Sequence, residues 1–195
     1  MLMCTNGERC RLRHAEGGFS LLETVIAIGL MAGAITALVQ MFAISVANNI
    51  SARSGSYATV LAGQKMEQLR GLTWGFDIFG LPVADLTTDT GAAIDTPSGG
   101  TGLSRSPGGT LTANTAGYVD YVDQFGNILG GGETRPARAV YTRRWSIAPL
   151  PGHPDTLVLQ VFVMKRVNRG SVDAGSTLRL PDEARMTSLK TRKAP

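Results

Sequence analysis

The stretch from Thr24 to Ala47, TVIAIGLMAGAITALVQMFAISVA, carries no charge and is polar only at Thr24, Thr36, Gln40 and Ser45. As a helix it would be about 36 Å long, enough to cross a bilayer core of about 30 Å with some tilt. One carboxylate, Glu23, stands at its start. An acid at that depth costs about 3 kcal/mol in lipid unless a cation meets it. The run predicts a membrane segment whose acid finds its partner on another molecule.

A short polar leader precedes the run and carries Arg9, Arg11 and Arg13, whereas only Arg53 follows at a comparable distance. The positive-inside rule then places the leader in the cytoplasm and the rest of the chain outside. Gly29 and Gly33 stand four apart, a spacing that lets helices approach closely, although small residues are also common in membrane helices generally. A secretory signal peptide fits poorly. Ser45-Val46-Ala47 offers a passable cut site, but the apolar run is too long and opens with Glu23. A plain single-pass anchor fits the length and leaves Glu23 and the abrupt Gly18-Phe19 junction unexplained.

Residues Gly17 to Glu23 read G-G-F-S-L-L-E. G-F-S-L-L-E resembles the cleavage and methylation motif of type IV prepilins and type II secretion pseudopilins. The resemblance implies cleavage by a prepilin peptidase between Gly18 and Phe19, N-methylation of Phe19, and pairing of Glu23 with the amino-terminal ammonium of a neighbouring subunit. The segment LAGQKMEQLRGL also resembles the corresponding part of PilV-like minor pilins. Major pilins often carry a proline midway along the apolar segment. Here no proline precedes Pro82, a departure that suits a minor pilin or a pseudopilin. The leader is somewhat long, holds Glu8 and Glu16, and could start at Met1 or Met3. None of this touches the cut site.

Both cysteines, Cys4 and Cys10, lie in the leader, so a processed chain would hold neither thiol nor disulfide. With His14 they match no standard zinc spacing. The whole chain has a net charge of +4, and the basic residues Arg185, Lys190, Arg192 and Lys193 near its end read as a solvated tail. Nucleic-acid binding is not expected. The only other histidine, His153, is separated from Asp155 by Pro154, and no nucleophile is positioned beside it. No cofactor, resident metal or catalytic constellation is expected, and the chain is read as a non-enzyme.

Beyond the membrane run, Ala58, Ala62, Met66 and Leu69 mark one helical face, widened by Tyr57 and Leu61. Arg53, Lys65, Glu67 and Arg70 read as polar positions, and Gly55 and Gly63 weaken the helix locally. Residues 71–135 hold more than half of the 24 glycines, and the Gly/Thr/Ser-rich part, about 87–117, reads as an exposed loop. It lacks the flanking strand and helix of a phosphate-binding loop. Tyr118 to Val122 reads as a strand, Asp123 to Asn127 as a turn, and Ile128-Leu129 as the return. Calcium held by Asp120, Asp123 and Asn127 is the alternative there, without the EF-hand spacing. Ala139–Ala148 and Thr156–Val167 read as an antiparallel pair joined by the rigid connector PLPGHPD, with a last short strand at Met186–Leu189.

The expected organisation is a leader at 1–18, a transmembrane and assembly helix at 19–47, an amphipathic continuation at 48–72, and an exported β-rich domain at 73–195. The expected fold is α+β and pilin-like: a long amino-terminal helix packed on a carboxy-terminal antiparallel sheet. The resemblance implies a minor pilin processed in the bacterial inner membrane, with its carboxy-terminal domain outside, and then carried into a periplasmic or cell-surface fibre. The implied partners are the prepilin peptidase, other pilin or pseudopilin subunits, the inner-membrane assembly platform and the membrane. A type II secretion pseudopilin and a non-polymerising membrane-anchored binding domain are the alternatives.

Overall fold

The computed structural model describes residues 18–92, 98–165 and 182–193. A single helix, α1 (Leu21–Gly71), is followed by β1 (Trp74–Phe76), β2 (Pro82–Ala84), β3 (Val119–Val122), β4 (Ile128–Gly131), β5 (Tyr141–Leu150), β6 (His153–Lys165) and β7 (Glu183–Thr191). β1 and β2 form a two-stranded ribbon, and the other five make an antiparallel sheet in the order β4-β3-β5-β6-β7. The fold is α+β, a long apolar helix whose second half packs on an antiparallel sheet. The chain divides into two compact units, Met1–Val46 and Ala47–Pro195.

In the first unit every described residue is exposed. α1 starts after Ser20, whose hydroxyl accepts the backbone N–H of Glu23 at 3.2 Å, the bond of an N-cap. The hydroxyls of Thr24 and Thr36 donate to the Leu21 and Ala32 carbonyls, each at 2.8 Å. Such back-bonding satisfies a polar group in surroundings without water.

In the second unit α1 buries Ala58, Leu61, Ala62, Met66 and Leu69 against the sheet, the stripe that the spacing predicts. Gly55 and Gly63 do not interrupt it. Facing them are Trp145 and Ile147 of β5 and Leu157, Leu159, Val161 and Val163 of β6. One long hairpin supplies most of this wall, with Trp145 opposite Val161 and Ile147 opposite Leu159. On the far side of the sheet Val119, Tyr121 and Ala139 form a smaller apolar cluster. There Arg144 clamps the loop to the sheet by donating to Asn114 Oδ1 at 2.8 and 3.0 Å and to the Thr112 carbonyl at 2.9 Å.

Several expectations are corrected. Lys65 is not a solvated polar position; it is wholly buried. The glycine-rich stretch is irregular but not simply exposed, because Leu103 joins the main core and Thr110 is buried. The connector after Ala148 is shorter than expected. β5 runs on to Leu150 across a bulge, β6 begins at His153, and Pro151-Gly152 makes the turn with Gly152 at φ 79°. The last strand spans Glu183–Thr191 rather than four residues, and its cations are not a loose tail. Arg185 lies over Phe162, and Arg192 lies over Trp74 and Phe76 while pairing with Asp155 at 2.9 Å. The ribbon β1–β2 has no counterpart in the sequence reading.

Candidate processing and assembly segment

Gly18, Phe19 and Ser20 precede the first turn of α1 in non-helical conformation. Phe19 is 81% exposed, and among the described residues, its chain neighbours aside, no atom lies within 4 Å of where a Cβ on Gly18 would stand. The described residues therefore leave the Gly18–Phe19 bond open to approach. Glu23 occupies the third helical position, where a negative charge is favoured by the helix dipole. Its N–H is capped by Ser20, but its carboxylate has no partner among the described residues. Leu21, Leu22, Val25 and Ile26 around it are all exposed. In lipid, a lone carboxylate on such an apolar helix surface would call for an external cation. The Ser20 cap went unread at the sequence level, although the spacing S-x-x-E at the start of an apolar run signals it.

α1 is the one helix among the described residues long and apolar enough to cross a membrane, with a mean hydropathy of 2.1 in its best window and none of that window buried. Gly29 and Gly33 leave open space on its surface. Arg9, Arg11 and Arg13, as well as Cys4, Cys10 and His14, lie outside the described residues.

The remaining candidates serve the fold. Asp120 accepts Arg143 Nε and Nη2 at 2.7 and 2.8 Å, and Lys65 Nζ lies 2.7 Å from its Oδ2. Lys65 also sits 4.3 Å from the centre of the Trp145 ring and donates to the Thr90 carbonyl and to Gln68 Oε1. The calcium alternative loses Asp120 to these cations. It loses Asp123 as well, because that carboxylate closes the turn by accepting the N–H groups of Phe125 and Asn127 and the Asn127 side chain. Hydrogen bonding from the Asn127 side chain, opposed by burial and reinforced by both N–H groups and Arg138, holds Asp123 below the usual carboxylate range. His153 is exposed at the start of β6, and Asp155 is committed to Arg192. Among the described residues no three of His, Cys, Asp and Glu are placed to hold a metal ion.

Compared with known proteins, the chain matches no family model, no curated protein and no solved structure.

Proposed function

We propose that this chain is a minor type IV pilin-like subunit, cut by a prepilin peptidase between Gly18 and Phe19 and assembled through Glu23 into a pilus fibre or its priming complex. The observation that carries the reading is the Glu23 carboxylate, unpartnered in the first turn of an exposed apolar helix that begins just after the Gly18–Phe19 junction. Cleavage there creates a cationic terminus, and methylation keeps the charge. A neighbour's Phe19 ammonium then supplies the counterion that lipid withholds. Before assembly the subunit waits in the inner membrane with Arg9, Arg11 and Arg13 retained inside, and its carboxy-terminal domain lies outside. The role is structural rather than catalytic. A pseudopilin of a type II secretion system is the second reading; the absence of proline from the whole of α1 suits it and the minor pilin alike.

Mass spectrometry of the membrane-extracted protein tests the processing step. The expected amino-terminus is methyl-phenylalanine 19. An intact leader, or a terminus after Ala47, overturns the reading in favour of a plain anchor or a signal peptide.

A further inference from the structure

α1 leaves its apolar run at Ala47 and reaches Arg53 six residues later, about 9 Å along the helix axis. There an open groove of about 540 Å³ forms within the second unit, lined by Ile50, Arg53, Ser54, Tyr57, Tyr141 and Lys165 among others. Among the described residues two cations line it and no acidic side chain does; Asp182, close enough to act on Tyr141, stands outside the lining.

The polar groups are held in place. Lys165 Nζ donates to Ser54 Oγ at 2.7 Å, and the Ser54 hydroxyl donates to the Ile50 carbonyl at 3.0 Å. Two of the three ammonium donors are left uncommitted among the described residues. Arg53 is exposed and has no partner among them either. The Tyr57 and Tyr141 rings stand 5.3 Å apart, and Ile50 and Val60 bring exposed apolar surface to the same groove.

We propose that this groove holds the phosphate headgroup of an anionic phospholipid at the outer surface of the membrane that α1 spans. The inference rests on reading the apolar half of α1 as membrane-spanning. The headgroup layer occupies the first several ångströms beyond the hydrocarbon core, the level that Ile50 to Arg53 reach along the helix. Tyrosines suit that layer because their rings are apolar and their hydroxyls are polar. Arg53 offers a planar fork for phosphate oxygens, and Lys165 supplies a point charge behind it. A zwitterionic headgroup would bring a further cation to a groove whose described lining offers it no carboxylate. Free phosphate would make no use of the exposed apolar surface of Ile50 at that level.

The test is lipid selection by the full, natively processed chain. The protein is reconstituted into vesicles of phosphatidylcholine alone or of phosphatidylcholine mixed with phosphatidylglycerol, and native mass spectrometry counts the lipids it retains. Phosphatidylglycerol is expected to be retained roughly thirtyfold in excess of its share, the order expected for two cations at a membrane surface. The double variant Arg53→Gln/Lys165→Gln should bring the excess close to unity, whereas Arg70→Gln, at the far end of α1, should leave it unchanged. Flotation with both vesicle types but no preference for phosphatidylglycerol overturns this proposal and spares the membrane reading. Failure to float with either overturns both. Displacement of phosphatidylglycerol by millimolar inorganic phosphate in detergent would show free phosphate to be the occupant and overturn the lipid assignment.

Discussion

Lys65 Nζ lies 2.7 Å from Asp120 Oδ2, and neither side chain touches solvent. The same carboxylate is gripped by Arg143, directly across the β3–β5 ladder. One anion therefore serves two buried cations, and the Trp145 ring under Lys65 supplies part of the missing negative potential. The three residues tie α1 to the centre of the sheet.

This asymmetry predicts which change does most damage. Asp120→Asn leaves two cations without an anion and should cost about 3–5 kcal/mol. Lys65→Met leaves the Asp120–Arg143 pair balanced and replaces the ammonium by apolar volume, so its cost should stay below about 2 kcal/mol. Urea unfolding of the detergent-solubilised chain, followed by tryptophan fluorescence, measures both. An equal or larger loss for Lys65→Met would show that the cation, not the shared carboxylate, organises the cluster.

Two glycines of the irregular segment should behave unlike a third. A Cβ at Gly100 would stand 2.2 Å from Asp89 Cα and 2.3 Å from the Thr88 carbonyl oxygen, both backbone atoms that cannot swing aside. Gly102, at φ 50°, would press a Cβ to 2.6 Å from the Asp85 carbonyl oxygen. Among the described residues nothing lies within 4 Å of a Cβ at Gly108. Alanine at Gly100 or Gly102 should cost roughly 2 kcal/mol or more, and at Gly108 within about 0.5 kcal/mol. Thermal melts of the three variants decide this, and three equal melting temperatures would contradict the tight packing of this segment.

Acid should weaken the fold through Asp85 and Asp123. Burial pushes Asp85 up, but hydrogen bonds from the Thr88 hydroxyl and from the N–H groups of Thr88 and Thr87 outweigh it and leave the carboxyl lowered. Asp123 is lowered too, chiefly by Asn127. A carboxyl whose folded pKa lies below its unfolded value of about 4 stabilises the fold above that pH, and the gain is lost as pH falls through the lowered value. Melting temperature should therefore be level from about pH 7 to 5 and fall below about pH 4. Asp123→Asn should melt lower than the parent at neutral pH, with the gap closing toward pH 3. A gap of constant size across that range would acquit the Asp123 charge.

The sequence revealed what local periodicity carries. The buried stripe Ala58, Ala62, Met66 and Leu69 and the alternation Leu157, Leu159, Val161 and Val163 are each set by neighbours a few residues away. Lys65 was misread because its burial depends on Asp120 and Trp145, far along the chain, and no helical spacing announces a distant counterion. Leu103 was missed for the opposite reason, as a single apolar anchor in a glycine-rich stretch without a period. The strands Trp74–Phe76 and Pro82–Ala84 are three residues each, too short for alternation to register. The onset of α1 close behind Gly18 was legible because the apolar run that forms it is contiguous. The groove beside Ser54 was not, since Lys165 approaches Ser54 only once β6 lies against α1.

Ser20 and Glu23 allow the two possible duties of the acid to be separated. As the third helical residue after a serine cap, Glu23 stabilises the start of α1, and glutamine serves a capping position nearly as well. As a counterion it needs its charge, and glutamine fails. Glu23→Gln should therefore be inserted and cleaved normally yet enter sheared surface fibres roughly tenfold less or worse, since a lost counterion in lipid costs about 3 kcal/mol. Ser20→Ala removes a cap worth about 1 kcal/mol. It frays only the first turn of a 51-residue helix, so incorporation should stay within about twofold of the parent. Quantitative immunoblots of the fibre and membrane fractions compare the two variants. Equal losses would assign Glu23 to helix initiation, and normal incorporation of Glu23→Gln would remove the charge from assembly altogether.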